Sequence, residues 1–203
     1  MAASFGHVLV DVGAGDGGYV LHRARTEPTT LAIAIDASPD GLARGAWRAK
    51  RARLANIAFL VEGVERLPPQ LSQIAHEVSV HFPWGSLLRG LVDASPSIVG
   101  PIADLLKPGA ELRVLISAVD RDGVGEITPS VLSARSGAYA EHGLDLVGAS
   151  WASPVAVRES HSAWAKRLGA SRPVVLARYS RHGLAPSRRT LDSRRRAPVS
   201  GGG

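Results

Sequence analysis

Three acids and a run of glycines near the N-terminus carry the first readable chemistry. Asp11-Val12-Gly13-Ala14-Gly15-Asp16-Gly17 follows the short apolar run His7–Val12. A backbone that bends sharply and approaches a ligand needs glycine, because a Cβ would stand in the way. Set beside the dinucleotide fingerprint G-x-G-x-x-G, the run G-A-G-D-G-G is weak evidence alone, since glycine turns also serve packing. Asp36 strengthens it. It ends a second apolar run 21 residues after Gly15, the distance at which a βαβ unit sets an acid over a ribose. Its carboxylate can accept hydrogen bonds from both ribose hydroxyls. Glu62-Gly63-Val64-Glu65 follows a third apolar run, where an adenine ring would lie, with the backbone near Val64 and the Glu65 side chain at its edge. An ordinary NAD turn is the competing reading. Against it, Asp11 and Asp16 would repel a pyrophosphate, whereas S-adenosylmethionine has no phosphate and carries a sulfonium and an ammonium that suit Asp11.

Two tryptophans supply the second set. Trp84 lies in His81-Phe82-Pro83-Trp84-Gly85-Ser86-Leu87-Leu88-Arg89-Gly90, just past a fourth strand, and Trp164 in Ser160-His161-Ser162-Ala163-Trp164-Ala165-Lys166-Arg167. Ligands of open α/β sheets lie beyond the carboxyl ends of the strands. Two indoles in loops there can sandwich a flat base extracted from its stack; a core plug is the plainer role for either alone. Trp47 and Trp151 are assigned to packing.

These residues need a frame. Strands are expected at His7–Val12, Leu31–Ile35, Ile57–Val61, Val78–Phe82, Glu111–Val119, Leu144–Ser150 and Pro173–Tyr179. Helices are expected over Gly18–Arg25, over Gly41–Leu54 capped by Asp40, over Pro96–Leu106 ended by the Lys107-Pro108-Gly109 turn, and in a stretch closing at Tyr139. Alternating strands and helices predict an α/β fold, with a seven-stranded, mostly parallel sheet and an antiparallel last strand. Residues 1–180 read as one domain, and 181–203 as a basic, disordered tail.

The 203 residues carry 24 Lys and Arg against 18 Asp and Glu, a net +6, with a pI near 10.4. Five basic residues and no acid fall between Gly41 and Ala55. Such grouping attracts phosphates, although a solvated surface has the same composition. No cysteine is present, which excludes disulfides and thiolate chemistry. No apolar run reaches the roughly 18 residues of a membrane span, no secretion signal is read, and the histidines lack metal-ligand spacing. No metal is expected.

The F-P-W-G-S-L-L-R-G segment, the D-V-G-A-G-D-G turn, the V-E-R-L-P-P stretch (Val64–Pro69) and the S-A-W-A-K-R-L segment resemble the Kam/Npm aminoglycoside-resistance methyltransferases, from about His7 to Tyr179. The resemblance implies a class I Rossmann-like fold and S-adenosylmethionine-dependent methylation of adenine N1 in the decoding A-site of 16S rRNA. It further implies the small ribosomal subunit as partner, the cytoplasm as compartment, and a monomer with neither membrane nor DNA partners. Trp84 and Trp164 would then stack on the flipped adenine, Pro83 would bring a carbonyl close to it, and Ser162 would order the second loop or touch the cofactor. Asp11, Gly13, Ala14, Gly15, Asp36, Ala37, Val64 and Glu65 match cofactor positions. Arg44, Arg48, Lys50 and Arg51 match a helix that grips rRNA phosphates, with Arg167 or Arg172 as a further docking residue. Only six residues precede His7, where family members carry about a hairpin's worth more, a departure from the family at this end. A small-molecule methyltransferase and an rRNA guanine-N7 methyltransferase remain alternatives.

Overall fold

In the computed structural model, which describes residues 5–118, 122–166 and 172–183, the chain begins with two βα units. These are β1 (His7–Val12), α1 (Gly18–Thr26), β2 (Thr30–Asp36) and α2 (Pro39–Arg51). Next come β3 (Ile57–Val61), β4 (Ala75–His81), α3 (Gly85–Val92), α4 (Pro96–Leu105) and β5 (Leu106–Ile116). The last third holds α5 (Pro129–Ala134), α6 (Ser136–Glu141), β6 (Leu144–Trp151), α7 (Pro154–Glu159) and β7 (Val175–Arg181). The seven strands form one sheet in the order β3-β2-β1-β4-β5-β7-β6. Neighbours from β3 to β5 are parallel, and β7 runs antiparallel to both β5 and β6. The strand order therefore reverses between β1 and β4, and a crevice opens there at the carboxyl ends.

Strand alternation decides what enters that crevice. Val8, Val10 and Val12 of β1 pack into the larger core with Val78 and Val80 of β4, Leu91 of α3 and Ile102 of α4. Leu9 faces the opposite side, against Tyr19 and Val20 of α1 and Leu42 of α2. Successive side chains of a strand alternate faces, so Asp11 falls in phase with Leu9 and turns toward α1. Ser79, paired directly with Asp11 across the ladder, does the same, as does His81 two residues on.

Four local expectations are corrected. Trp47 and Trp151 do not pack in a core: they are 58% and 53% exposed, because Trp47 stands on the outer face of α2 and Trp151 ends the edge strand β6. Asp40 does not cap α2; Ser38 holds the N-cap position and Asp40 lies in the first turn. The Lys107-Pro108-Gly109 segment is an irregularity inside β5, where pairing jumps from Ala75–Leu106 to Glu77–Glu111 and Gly109 takes φ 79°. Finally, β7 continues through Arg181, the first residue expected in the tail; residues 184–203 lie outside the described residues.

Candidate active site

Backbone geometry fixes the turn after β1. Gly13, Gly15 and Gly17 take φ of 72°, 58° and 68°, and the Gly13 and Ala14 N–H groups both donate to the Ile35 carbonyl, at 2.8 and 3.1 Å. Asp36 closes the arrangement. Its carboxylate accepts from Gly15 N–H and Ser38 N–H, each at 2.7 Å, which orients it toward the crevice and leaves lone pairs free on both oxygens. Helix α2 lies directly behind: a Cβ on Gly41 would stand 2.6 Å from the Gly15 carbonyl oxygen, and one on Gly45 2.7 Å from that of Asp16. Only glycine at these two positions, one helical turn apart, admits that approach. Arg48 completes the clamp, pairing with the Asp16 carboxylate at 2.9 Å and also donating to the Asp16 carbonyl.

Asp11 sits at the floor, buried, accepting a 2.6 Å hydrogen bond from the Ser79 hydroxyl. Burial pushes its carboxyl up from 3.8 to about 7; the Ser79 bond opposes this, while the charges of Asp36 and Glu77 add to it. His81 Nδ1 lies 3.7 Å away but supplies no cation. Burial first, then the charges of Arg113 and Arg23, push that imidazole down to about 3, so it is neutral and packs edge-on against Tyr19 at 4.6 Å. A buried carboxyl with a donor but no charge partner beside it favours a cationic ligand, since a cation restores its ionised form.

A cavity of about 420 Å³ opens over this floor, lined by Asp11, Gly13, Ala14, Gly15, Asp36 and Arg44 on one side and by Trp84, Ser162 and Trp164 on the other. A smaller one of about 190 Å³ adjoins it, lined by Ala37, Val64, Glu65, Pro83 and again Trp84. Every expected cofactor residue thus borders one of two contiguous cavities, and so do all four expected catalytic residues. Trp84 is brought there by a sharp turn: Phe82 takes a left-handed φ of 54° and Gly85 one of 61°, which lifts Pro83 and Trp84 out between β4 and α3. Both indoles face solvent, 72% exposed for Trp84 and 40% for Trp164; neither is a core plug.

The family model described as NpmA: 16S rRNA (adenine(1408)-N(1))-methyltransferase matches residues 1–182. The chain belongs to this family. A 16S rRNA (adenine(1408)-N(1))-methyltransferase of Streptoalloteichus tenebrarius is 33% identical over 184 residues, 85% of each chain. One from Escherichia coli is 28% identical over 192 residues, 88% of each. Among solved structures, a variant of the corresponding Catenulisporales acidiphilia enzyme with cosubstrate SAM superposes with a TM-score of 0.80 at 27% identity, covering 98% of this chain and 91% of that one. The 16S rRNA methyltransferase KamB gives 0.78 at 31% identity, covering 89% and 90%.

In this NpmA-family chain the basic residues of α2 divide. Arg44 borders the larger cavity, Lys50 and Arg51 are exposed, and the Arg51 guanidinium lies 4.8 Å over the Trp47 ring. Arg48, expected among the phosphate contacts, pairs with Asp16. Arg172 is half-buried ahead of β7; Arg167 lies outside the described residues. Sequence reasoning missed Ser79, His81 and Tyr19 as neighbours of Asp11. The signal was there: Ser79 and His81 are two polar residues in phase within the apolar strand Val78–Phe82, on the face that Asp11 shares.

Proposed function

We propose that this chain transfers a methyl group from S-adenosylmethionine to N1 of the decoding-site adenine of 16S rRNA, with Trp84 and Trp164 clamping the extruded base above Asp11. The convergence of two exposed indoles at the mouth of a cavity floored by a buried carboxyl carries this reading. The fit to the donor rests on charge and hydrogen bonding. Asp11 suits the cationic methionine end, Asp36 offers both oxygens to a ribose, and the cavity at Val64 and Glu65 suits an adenine edge. A pyrophosphate would meet Asp11, Asp16 and Asp36 instead.

When bound, the donor supplies an electrophilic methyl on a sulfonium. The adenine N1 lone pair is free at neutral pH, so its attack forms the N–CH₃ bond as the S–CH₃ bond breaks, and no proton has to be removed. The protein's part is therefore positioning, which supplies up to about 7–11 kcal/mol in favourable cases. Trp84 and Trp164 hold the ring plane, Pro83 presents a backbone carbonyl near the base, and Ser162 steadies the second loop. The product base is a cation, which an indole face attracts. Arg44, Lys50, Arg51 and Arg172 face the rRNA backbone from the mouth outward. The protein acts as a monomer in the cytoplasm; among the described residues no helix is long and apolar enough to cross a membrane.

Reverse transcription of 16S rRNA from cells expressing the protein tests the target. Methylation at N1 blocks pairing, so a new stop at the decoding adenine is expected. No stop there, with methyl incorporated into a guanine of the subunit or into small molecules instead, rejects the reading.

A further inference from the structure

The segment that brings Trp164 to the cavity hangs from the end of α7. Ser160 Oγ donates to the Val157 carbonyl at 2.7 Å, and the His161 N–H donates to that of Arg158 at 3.1 Å. His161 then adopts a left-handed backbone with φ 46°, which a non-glycine residue holds only when its surroundings impose it. Two contacts with α1 impose it here. The His161 carbonyl oxygen lies so close to α1 that a Cβ on Gly18 would stand 2.4 Å from it. One helical turn on, the imidazoles of His22 and His161 stack with centroids 3.6 Å apart and planes 20° from parallel. From there the path to the indole is short: the Ser162 N–H reaches Ser160 Oγ at 3.3 Å, and the Trp164 N–H donates to Ser162 Oγ at 3.1 Å.

We propose that His22 and His161 are a positioning pair for methyl transfer, whose ring stack docks the Trp164 loop onto α1 and loosens once the His161 ring is charged. The inference rests on the reading that Trp164 stacks on the target base. Neutral rings at this separation attract by dispersion, whereas two imidazolium ions would repel. The charged groups facing the pair come from several elements. Arg23 and Glu27 of α1, Arg113 of β5 and Glu159 of α7 line the cavity beside His22, together with the neutral Tyr19 and His81, and Lys166 acts from the loop itself. Partial burial against its neighbours, then the charges of His22 and Lys166, hold His161 below its ordinary 6.5, with Glu159 opposing. The docked loop therefore binds fewer protons than a released one. Docking is complete above about pH 6.5 and weakens as pH falls through the lowered value.

Initial rates of methyl transfer to purified small subunits, at saturating S-adenosylmethionine from about pH 5.5 to about pH 8, test the pair. His22→Phe keeps a flat ring but removes the neighbouring charge that helps hold His161 down; it should match the parent near neutrality and shrink the acid-side decline. His22→Ala should lower kcat/KM for subunits about tenfold, while calorimetry shows S-adenosylmethionine affinity within about twofold of the parent, which also reports an intact fold. Titration of the rRNA is common to all variants and cancels in the comparison. An unchanged acid limb in His22→Phe, or an unchanged rate in His22→Ala, overturns the pair. Trp164→Ala separates the two failures: if it is inactive while His22→Ala is unaffected, only the pair falls. If Trp164→Ala is itself fully active, the base clamp falls and the pair with it.

Discussion

The two halves of the active site are built by different means. On the β1–β2 side, position is set by backbone. Gly13, Gly15 and Gly17 turn the chain, the Ile35 carbonyl ties it down, and Gly41 and Gly45 let α2 press against it from behind. The groups proposed to meet the donor are thus fixed at the strand ends. On the β4 and β7 side, position is set by loops, and both indoles project into solvent from short segments. A small, constant cofactor calls for rigid hydrogen-bond geometry. A base delivered by a much larger particle calls for flat apolar surfaces that accept it from outside.

Substitutions on opposite sides should therefore separate donor binding from transfer. Trp84→Ala or Trp164→Ala should each slow methyl transfer to small subunits about a hundredfold, given roughly 1–3 kcal/mol per base stack. Donor affinity by calorimetry should stay within about twofold; a parallel loss of both would dissolve the division. Asp36→Ala is the converse. Loss of charged hydrogen bonds worth roughly 1.5–3 kcal/mol should weaken donor binding about thirtyfold, with the rate recovered when the donor is raised to saturation.

Proton linkage at Asp11 sharpens the rigid half. Burial raises its carboxyl to about 7, and a cation bound beside it would lower that value, so donor binding there would release any proton held. Donor affinity should be level above about pH 7 and fall about tenfold per unit below it. Asp11→Asn should bind more weakly at pH 8 and lose that slope, both measurable by calorimetry in buffers of matched ionic strength. The smallest effect tests the division within α2. Arg48→Ala should loosen the glycine turn and weaken donor binding a few-fold, while leaving the salt dependence of subunit binding unchanged. Arg44→Glu with Arg51→Glu should do the reverse, reducing the slope of log affinity against log salt by about one for each phosphate no longer neutralised. Equal salt slopes in both variants would reject this partition.

The backbone-built half was the more legible in the sequence. Apolar runs closed by Asp11, Asp36 and Glu62 give β1, β2 and β3 to within a residue, because parallel strands leave near-continuous hydrophobic signatures. The loop-built half was read in part. Its tryptophans stood out by type and by family motif, but α3 and α7 were not anticipated: α3 opens on Gly85 and contains Gly90, and α7 spans only six residues, too short for periodicity to register. The pairing of Arg48 with Asp16 was also hidden. Arg44, Arg48 and Arg51 are alike on a helical wheel, and only the approach of Asp16 through the Gly45 gap distinguishes the middle one. The exposure of Trp47 and Trp151 has a similar cause, since a lone aromatic carries no mark of which face of its element meets a neighbour.

The 72% exposure of Trp84 has a consequence for catalytic selectivity. Among the described residues the chamber has walls and a floor but no roof, so water reaches its interior until a substrate seals it. A free adenosine brings only its own ring and leaves the indole edges wet. On the proposed docking, the ribosomal particle seated on the basic rim covers the opening from above. Dehydration of the chamber thus becomes part of recognition, and the same base outside its particle should be turned over poorly even when it fits between the rings.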